Sequence, residues 1–303
     1  MAVAKIDNWE FTSTNSTNTL TLTGVTAGTN RLIVCFVTSE ATPPVATAIS
    51  IGGESGEQIS GSPIQAGTGT TAQVVSGWII KETAIAARSN DTITITFTTQ
   101  PTTVSITAAV FSGVDQTTPI IEYQEGQTGA ATPNPITTVD ITVDSVDNYV
   151  VACSGCGNST TAAWAGPLTE QTEVIMNATA TSSVADLDPV STGNTTVECT
   201  WGSQNRAAIM SIEIQAAAVG GFKLQGITRD DYGDLLGTVE CYLFKDNQDD
   251  TLSFIDYTQS DSTGSYIFTG IGDDSTSYLV IGWKDDDPHV FDVTDHILKP
   301  IPE

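Results

Sequence analysis

Thr92-Ile-Thr-Ile-Thr-Phe97 alternates polar and apolar residues without a break. Successive side chains of a strand point to opposite faces, so this stretch predicts a β-strand with one apolar and one threonine face. The same two-residue period returns on both sides of it. Thr19-Leu-Thr-Leu-Thr23 lies upstream; Thr103-Val-Ser-Ile106, which runs on into Ala108-Ala-Val-Phe111, lies downstream. Thr196-Val-Glu-Cys-Thr-Trp201 and Ile209-Met-Ser-Ile-Glu-Ile214 follow further on. Each run is short and ends in turn-forming residues, which is the strand signature. Two runs, Leu32–Val37 and Tyr149–Cys153, are continuously apolar. They predict central strands buried on both faces, or core strands flanked by close packing.

The composition agrees. The 303 residues are 39% hydrophobic and only 15% charged, with Thr, Ser, Asn and Gly making up the polar share. Thr favours half-buried strands, whereas Asn and Gly favour turns. The expected class is all-β.

Two pairs of runs can be superposed. Asn30-Arg-Leu-Ile-Val-Cys35 lies on Asn148-Tyr-Val-Val-Ala-Cys153, Cys on Cys, and Asn90–Phe97 lies on Asn194–Trp201. This points to an internal duplication over residues 17–115 and 136–216 of an N-terminal β-sandwich spanning 1–217. Two halves packed as two sheets give a sandwich of jelly-roll type; the alternative is two small sandwiches in tandem. Gly126–Pro135 has linker composition and is expected to join the halves as a long loop.

Ala216-Ala-Ala-Val-Gly-Gly221 is small and uncharged, so residues 218–221 are expected to link two domains. Residues 222–303 then change character. From Gly221 to the end there are 17 acids and 5 bases, a balance of −12. Short runs at Phe222–Thr228, Val239–Phe244, Leu252–Thr258, Ser265–Phe268, Tyr278–Trp283 and His289–Val293 outline a second, smaller sandwich of immunoglobulin-like form.

Charge excludes several functions. Ten Lys and Arg face 36 Asp and Glu, a formal net charge of −26, and no base occurs between Arg88 and Arg206. Phosphate-directed nucleic-acid binding and adhesion to an anionic membrane both need clustered bases. No stretch reaches the length of a membrane span, and the opening residues lack the apolar core of a signal peptide. Cys35, Cys153, Cys156, Cys199 and Cys241 are an odd number, mostly inside strand runs, and are expected to be free thiols in a reducing compartment.

Candidate chemistry is sparse. Cys153-Ser-Gly-Cys156 has the spacing of half a zinc site, but the only two His, His289 and His296, lie in the other domain. A buried strand Cys followed by a turn Cys is the expected reading. Asp246-Asn-Gln-Asp249-Asp250 and Asp285-Asp-Asp287 are oxygen-rich, and calcium takes roughly six to eight such ligands. Solvated hairpin turns are the expected reading there, with calcium or magnesium bridging left open. No Ser-His-Asp order and no phosphate loop can be assembled, so no catalytic, cofactor or metal residue is assigned. Among the five Trp, Trp78 and Trp201 are expected in the core. Trp164, in Ala162-Ala-Trp-Ala-Gly-Pro167, is read as an exposed loop residue and the best sugar-stacking candidate. The Asn-x-Ser/Thr sequons at Asn15, Asn90, Asn158, Asn177 and Asn194 are assigned no glycan.

Two resemblances extend this reading. Gly226-Ile-Thr228, Ser260-Asp-Ser-Thr-Gly264-Ser-Tyr266-Ile-Phe268 and Tyr278-Leu-Val-Ile281 resemble the carboxypeptidase-regulatory-like, or transthyretin-like, sandwich family. In that family the Gly ends a turn and the following aromatic pair alternates into the core. The loop Tyr232-Gly-Asp-Leu-Leu-Gly237 keeps the family's pattern only in part, while Gly282–Asp287 with Phe291-Asp292 is similar to a version found in structural proteins of tailed bacteriophages. Ala108-Ala-Val-Phe111-Ser-Gly113-Val-Asp115-Gln-Thr-Thr-Pro119 resembles the closing strand of a sandwich in phage and bacterial surface proteins. The resemblances imply a non-enzymatic virion component, assembled in the host bacterial cytoplasm, that decorates the capsid or projects from it as a head fibre. Its implied partners are capsid or tail proteins of the same particle and further copies of itself, a trimer being one form. The competing class is a carbohydrate-binding or adhesion module that meets a host-surface glycan.

Overall fold

The computed structural model describes residues 2–13, 18–40, 46–67, 72–99, 101, 103–129, 136–176, 178–189, 191–202, 206–217, 222–229, 233–246, 251–271, 278–283 and 301–302. The chain divides into two compact units, Met1–Ala217 and Ala218–Glu303. Both are built from antiparallel strands.

The first unit contains two sandwiches, each with its own pair of sheets. In the first half a seven-stranded sheet runs in the order Ala4–Lys5, Thr103–Ser112, Leu32–Glu40, Gln73–Lys81, Glu57–Gln58, with Glu10–Ser13 and Ile64–Ala66 added at its flanks. Its partner sheet has the order Thr19–Thr21, Thr92–Phe97, Ala46–Ile51, Glu54–Ser55. In the second half a five-stranded sheet runs Ile120–Gln127, Ala207–Ile214, Tyr149–Cys156, Ala180–Leu187, Thr169–Met176. Its partner is Ile136–Val143, Gly193–Trp201, Ala162–Ala165. The two halves therefore repeat one strand order. Of the two arrangements left open by the pattern, tandem sandwiches form, because each half supplies both layers it needs to cover a sheet face.

The repeat is wider than its sequence trace. It takes in the N-terminal strands from Ala4 and their counterpart Ile120–Gln127, which follows Gly113–Pro119 as the true connection between the halves. Gly126 and Gln127, expected in a linker, are strand residues opposite Ile209 and Ala208. Residues 130–135 of that expected linker lie outside the described residues.

The two larger sheets pack face to face, and this explains the continuously apolar runs. Leu32, Val34 and Phe36 enter the core shared by the halves, together with Tyr149, Val151, Cys153, Met210 and Ile212. Ile33, Cys35 and Val37 enter the first half's own core with Ile49, Ile93 and Ile95. Val150 and Ala152 enter the second half's own core with Val197, Cys199 and Trp201. A strand between two cores has no polar face, so its alternation disappears.

This geometry also corrects the superposition. Cys35 faces its own half's core, while Cys153 faces the shared one. The residue facing as Cys35 does is Ala152, and Phe36 matches Cys153; a slip of one residue exchanges the two faces of a strand. The second superposition holds: Ile93 and Ile95, like Val197 and Cys199, point into their own half's core.

Charge pairs tie the halves at two places. Arg206 Nη2 donates to Glu40 Oε1 at 2.7 Å. Lys5 Nζ and Trp9 Nε1 donate to Asp186 Oδ2 at 2.6 and 2.9 Å. The short helix Glu82–Ala87 interrupts the strands, with Ile85 buried and Glu82 held by Arg31.

The second unit has two three-stranded sheets. One runs Ser265–Ile271, Phe222–Ile227, Ile301–Pro302; the other runs Leu252–Gln259, Glu240–Asp246, Tyr278–Trp283. Leu224, Val239, Cys241, Leu243, Tyr266, Phe268, Tyr278 and Val280 form the core. Gly264, at φ +78°, ends the turn held by Asp261, whose Oδ1 accepts from Thr263 N and Ser265 N at 2.8 and 3.0 Å. Tyr266 and Phe268 follow it inward with ring centroids 6.0 Å apart. Gly226 lies under Tyr266, where an added Cβ would stand 2.3 Å from the phenol oxygen. The expected strand at His289–Val293 lies outside the described residues.

Candidate binding cleft and interaction surface

The connection Gly113–Pro119 turns the chain from one half of the first unit into the other. Gly113 takes φ +71°, a conformation that disfavours residues with a Cβ. Asp115 Oδ1 accepts from Thr117 N and Thr118 N, both at 2.7 Å, and so closes a local turn. Gln116 clasps the first half: its Oε1 accepts from Glu82 N at 2.9 Å and its Nε2 donates to Arg31 O at 3.2 Å. Asp115 N donates to Gln215 O, and Gln215 N to Pro119 O, each at 2.9 Å, which fixes the second half. The distinctive Gly-Val-Asp and Thr-Pro residues are thus the hinge of the duplicated unit.

Beside this hinge an open cleft of about 370 Å³ forms where the halves meet. Its apolar floor includes Ile59, Ile79, Pro119 and Ile120, with the Tyr123 ring at one side. Its rim is polar. Lys81 Nζ stands 3.0 Å from Glu57 Oε2 on one wall. Ser60, Thr117 and Thr118 also line it. The Glu122 carboxylate lies on the opposite face of its strand from Tyr123, where it accepts from Thr142 N at 2.5 Å and Gln124 Nε2 at 2.9 Å. The Tyr123 phenol donates to Glu125, and burial followed by this carboxylate pushes its pKa up, so it stays a neutral donor. Gly61 approaches the ring so closely that an added Cβ would stand 2.2 Å from Cε1.

The second unit presents a different feature. On the outer face of one sheet, Phe254, Phe244 and Leu279 form one cross-strand row and Tyr257, Tyr242 and Ile281 the next. Tyr242 and Tyr257 stack at 6.3 Å, and Phe244 meets Phe254 edge-on at 5.8 Å. Phe254 is 56% exposed and Tyr257 64%. Their strand, Leu252–Gln259, is an edge of its sheet and is exposed along nearly its whole length. A bulge at Ile255 separates the two rows and turns Asp256 toward the side of the buried Leu243. A bulge and an inward-turned charge are the devices that keep an edge strand from pairing with another chain. The edge is guarded while the face beside it is left apolar.

The candidates read from the sequence fall elsewhere. Cys153 and Cys156 sit on one strand three residues apart and enter different cores, so they share no ligand. Cys153 bonds Thr38 and Ser182 at 3.6 and 3.8 Å. Burial pushes both thiols up to about 11, against weaker lowering by hydrogen bonds, which makes them poor nucleophiles. Cys35, Cys199 and Cys241 are buried as well. Among the described residues no group of three His, Cys, Asp or Glu is arranged to hold a metal. The Asp249-Asp250 and Asp285–Asp287 loops, His289 and His296 lie outside those residues, as does the side chain of Asp246.

Trp164 is corrected. It belongs to the strand Ala162–Ala165, opposite Cys199, and packs against the second half's core with its Nε1 donating to Ser183 Oγ at 2.8 Å. Pairing with Gly193–Trp201 sets the partly buried ring against that core. Trp78 and Trp201 are core residues, 3% and 0% exposed. The cleft and the aromatic face escaped the sequence reading because their members come from separate strands; only the Gly113–Pro119 motif marked one wall.

No family model matches the chain, and no curated protein matches it. Among solved structures, the pilus backbone RrgB from Streptococcus pneumoniae aligns over 96% of this chain and 83% of its own at 8% identity, with a TM-score of 0.21. A likeness of that degree carries no argument about this chain.

Proposed function

We propose that this chain is a non-enzymatic structural component of a tailed-bacteriophage particle, decorating the capsid or projecting from it as a head fibre. It assembles in the host bacterial cytoplasm and binds capsid or tail proteins, and further copies of itself, through protein–protein contacts. The carrying observation is the outer face of the second unit, where Phe254, Tyr257, Tyr242 and Phe244 stand in two cross-strand rows and, among the described residues, the Phe254 and Tyr257 rings are left largely exposed. A contiguous apolar patch on an otherwise acidic module is the signature of a docking surface. The guarded edge beside it favours contact through the face and opposes open-ended strand addition. The phage assignment itself rests on the sequence resemblances. The absence of turnover is supported by the use of the polar groups: the thiols are buried, and Arg206, Lys5 and Asp186 link the two halves.

The test is quantitative mass spectrometry of purified particles. A copy number that matches the capsid's symmetry is expected, with occupancy falling when Phe254 and Tyr257 are both replaced by Ser. Absence from particles, or presence at a few copies only, would overturn the decoration reading.

A further inference from the structure

The geometry points to a second function in the first unit: the cleft at the hinge between the duplicated halves binds a neutral glycan. This holds whatever assembly the chain belongs to, because it rests only on the cleft's own residues.

The chemistry of the walls selects the ligand. The floor of Ile59, Ile79, Pro119 and Ile120 and the Tyr123 ring offer an apolar surface, and a volume of about 370 Å³ is that of a small-ligand site. Polar groups line the same cleft: the Glu57 carboxylate, the Lys81 ammonium, and the hydroxyls of Ser60, Thr117 and Thr118. A pyranose has the complementary shape, with C–H faces for the floor and ring and a hydroxyl periphery for the rim.

Other ligands fit less well. A wholly apolar ligand would strip water from the Lys81–Glu57 pair and give nothing back, and desolvating a charge pair is costly. An anionic ligand finds the Lys81 ammonium already paired with Glu57, on a chain of net charge −26.

The site is held before any ligand arrives. Asp115 and Gln116 set the Thr117–Pro119 wall, and Gly61 and Glu125 fix the Tyr123 ring. Preorganisation of this kind lowers the ordering cost of binding.

The experiment titrates the whole chain with maltohexaose, cellohexaose, xylohexaose, mannohexaose and chitohexaose, and with tetragalacturonate as the anionic counterpart, by calorimetry and ligand-observed NMR. Saturable binding of at least one neutral oligomer is expected. It should weaken at least about tenfold on Tyr123→Ala and on Thr118→Arg, and stay unchanged on Trp164→Ala. Thr118 is exposed and its backbone carries the turn, so Thr118→Arg blocks the cleft without threatening the fold. Thermal melts report whether each variant is folded. Failure of every neutral oligomer to bind, preference for tetragalacturonate, or binding that ignores Thr118→Arg would overturn the proposal. So would a particle in which a protein segment fills the cleft and no glycan binds the free chain.

Discussion

Gly155 of the second half lies directly beneath Gln73 of the first: a Cβ added to Gly155 would stand 2.7 Å from Gln73 Nε2. It would stand equally close to Thr38 Cγ2. Gln73 is fully buried. The contact sets how closely the two large sheets approach. Gly155→Ala should therefore destabilise the first unit by about 1–3 kcal/mol, the usual cost of overpacking. Urea unfolding followed by Trp fluorescence measures this; an unchanged midpoint would show that the sheets can shift apart freely.

Arg206 supplies the positive half of an ion pair that is shielded from water, with side chains 9% and 15% exposed. Arg206→Met leaves Glu40 charged without its partner, at a cost of roughly 3–5 kcal/mol. The double variant with Glu40→Leu should recover much of that loss, because the buried charge is then gone. Chemical denaturation of the two single variants and the double gives the coupling; equal losses in all three would remove the pair from the account.

Glu213 is fully buried between strands, and its Oε1 accepts from Asn148 Nδ2 at 2.7 Å and Asp144 N at 2.9 Å. Burial raises its pKa, against those two hydrogen bonds, while Asp144 and Glu122 raise it further. A raised carboxyl favours the folded state fully below its unfolded pKa and loses that contribution as pH rises through the folded value. Glu213→Gln keeps both accepted hydrogen bonds and removes the titration. The variant should match the parent in melting temperature in acid and exceed it at neutral and higher pH. A constant difference across the series would contradict this.

Asp256 stands on an edge strand opposite the core residue Leu243. Asp256→Val removes the edge-strand charge that opposes strand addition, so concentration-dependent self-association should appear. Sedimentation velocity over a tenfold concentration range decides the matter. A variant that sediments like the parent would assign the guard to the bulge alone.

Much of the architecture is legible in the chain's own period. Thr92–Phe97 and Thr196–Trp201 alternate, and both lie over a single core with threonines outward. Leu32–Val37 is apolar throughout, and it lies between two cores. The same run shows the limit. With no polar face to mark orientation, the superposition of Cys35 on Cys153 falls one residue out of register. Trp164 reads as a loop residue because Gly166 and Pro167 follow it, but long-range pairing with Cys199 makes it a strand residue. The linker composition of Gly126–Pro135 is likewise overridden at its start by pairing with Ala207–Ile214.

Residue order by itself determined the all-β class, the apolar runs of the central strands, the repeat and the net charge of −26. Those properties follow from side-chain period and from summed charge, which need no third dimension. Tertiary structure alone decided which core each thiol faces, that Trp164 turns inward, and that Ile59, Lys81, Thr118 and Tyr123 meet at one cleft. It also decided that Phe254 and Tyr257 face outward. The reason is that strand pairing joins residues far apart in the chain, and a sheet's two faces acquire different surroundings only once another layer covers one of them.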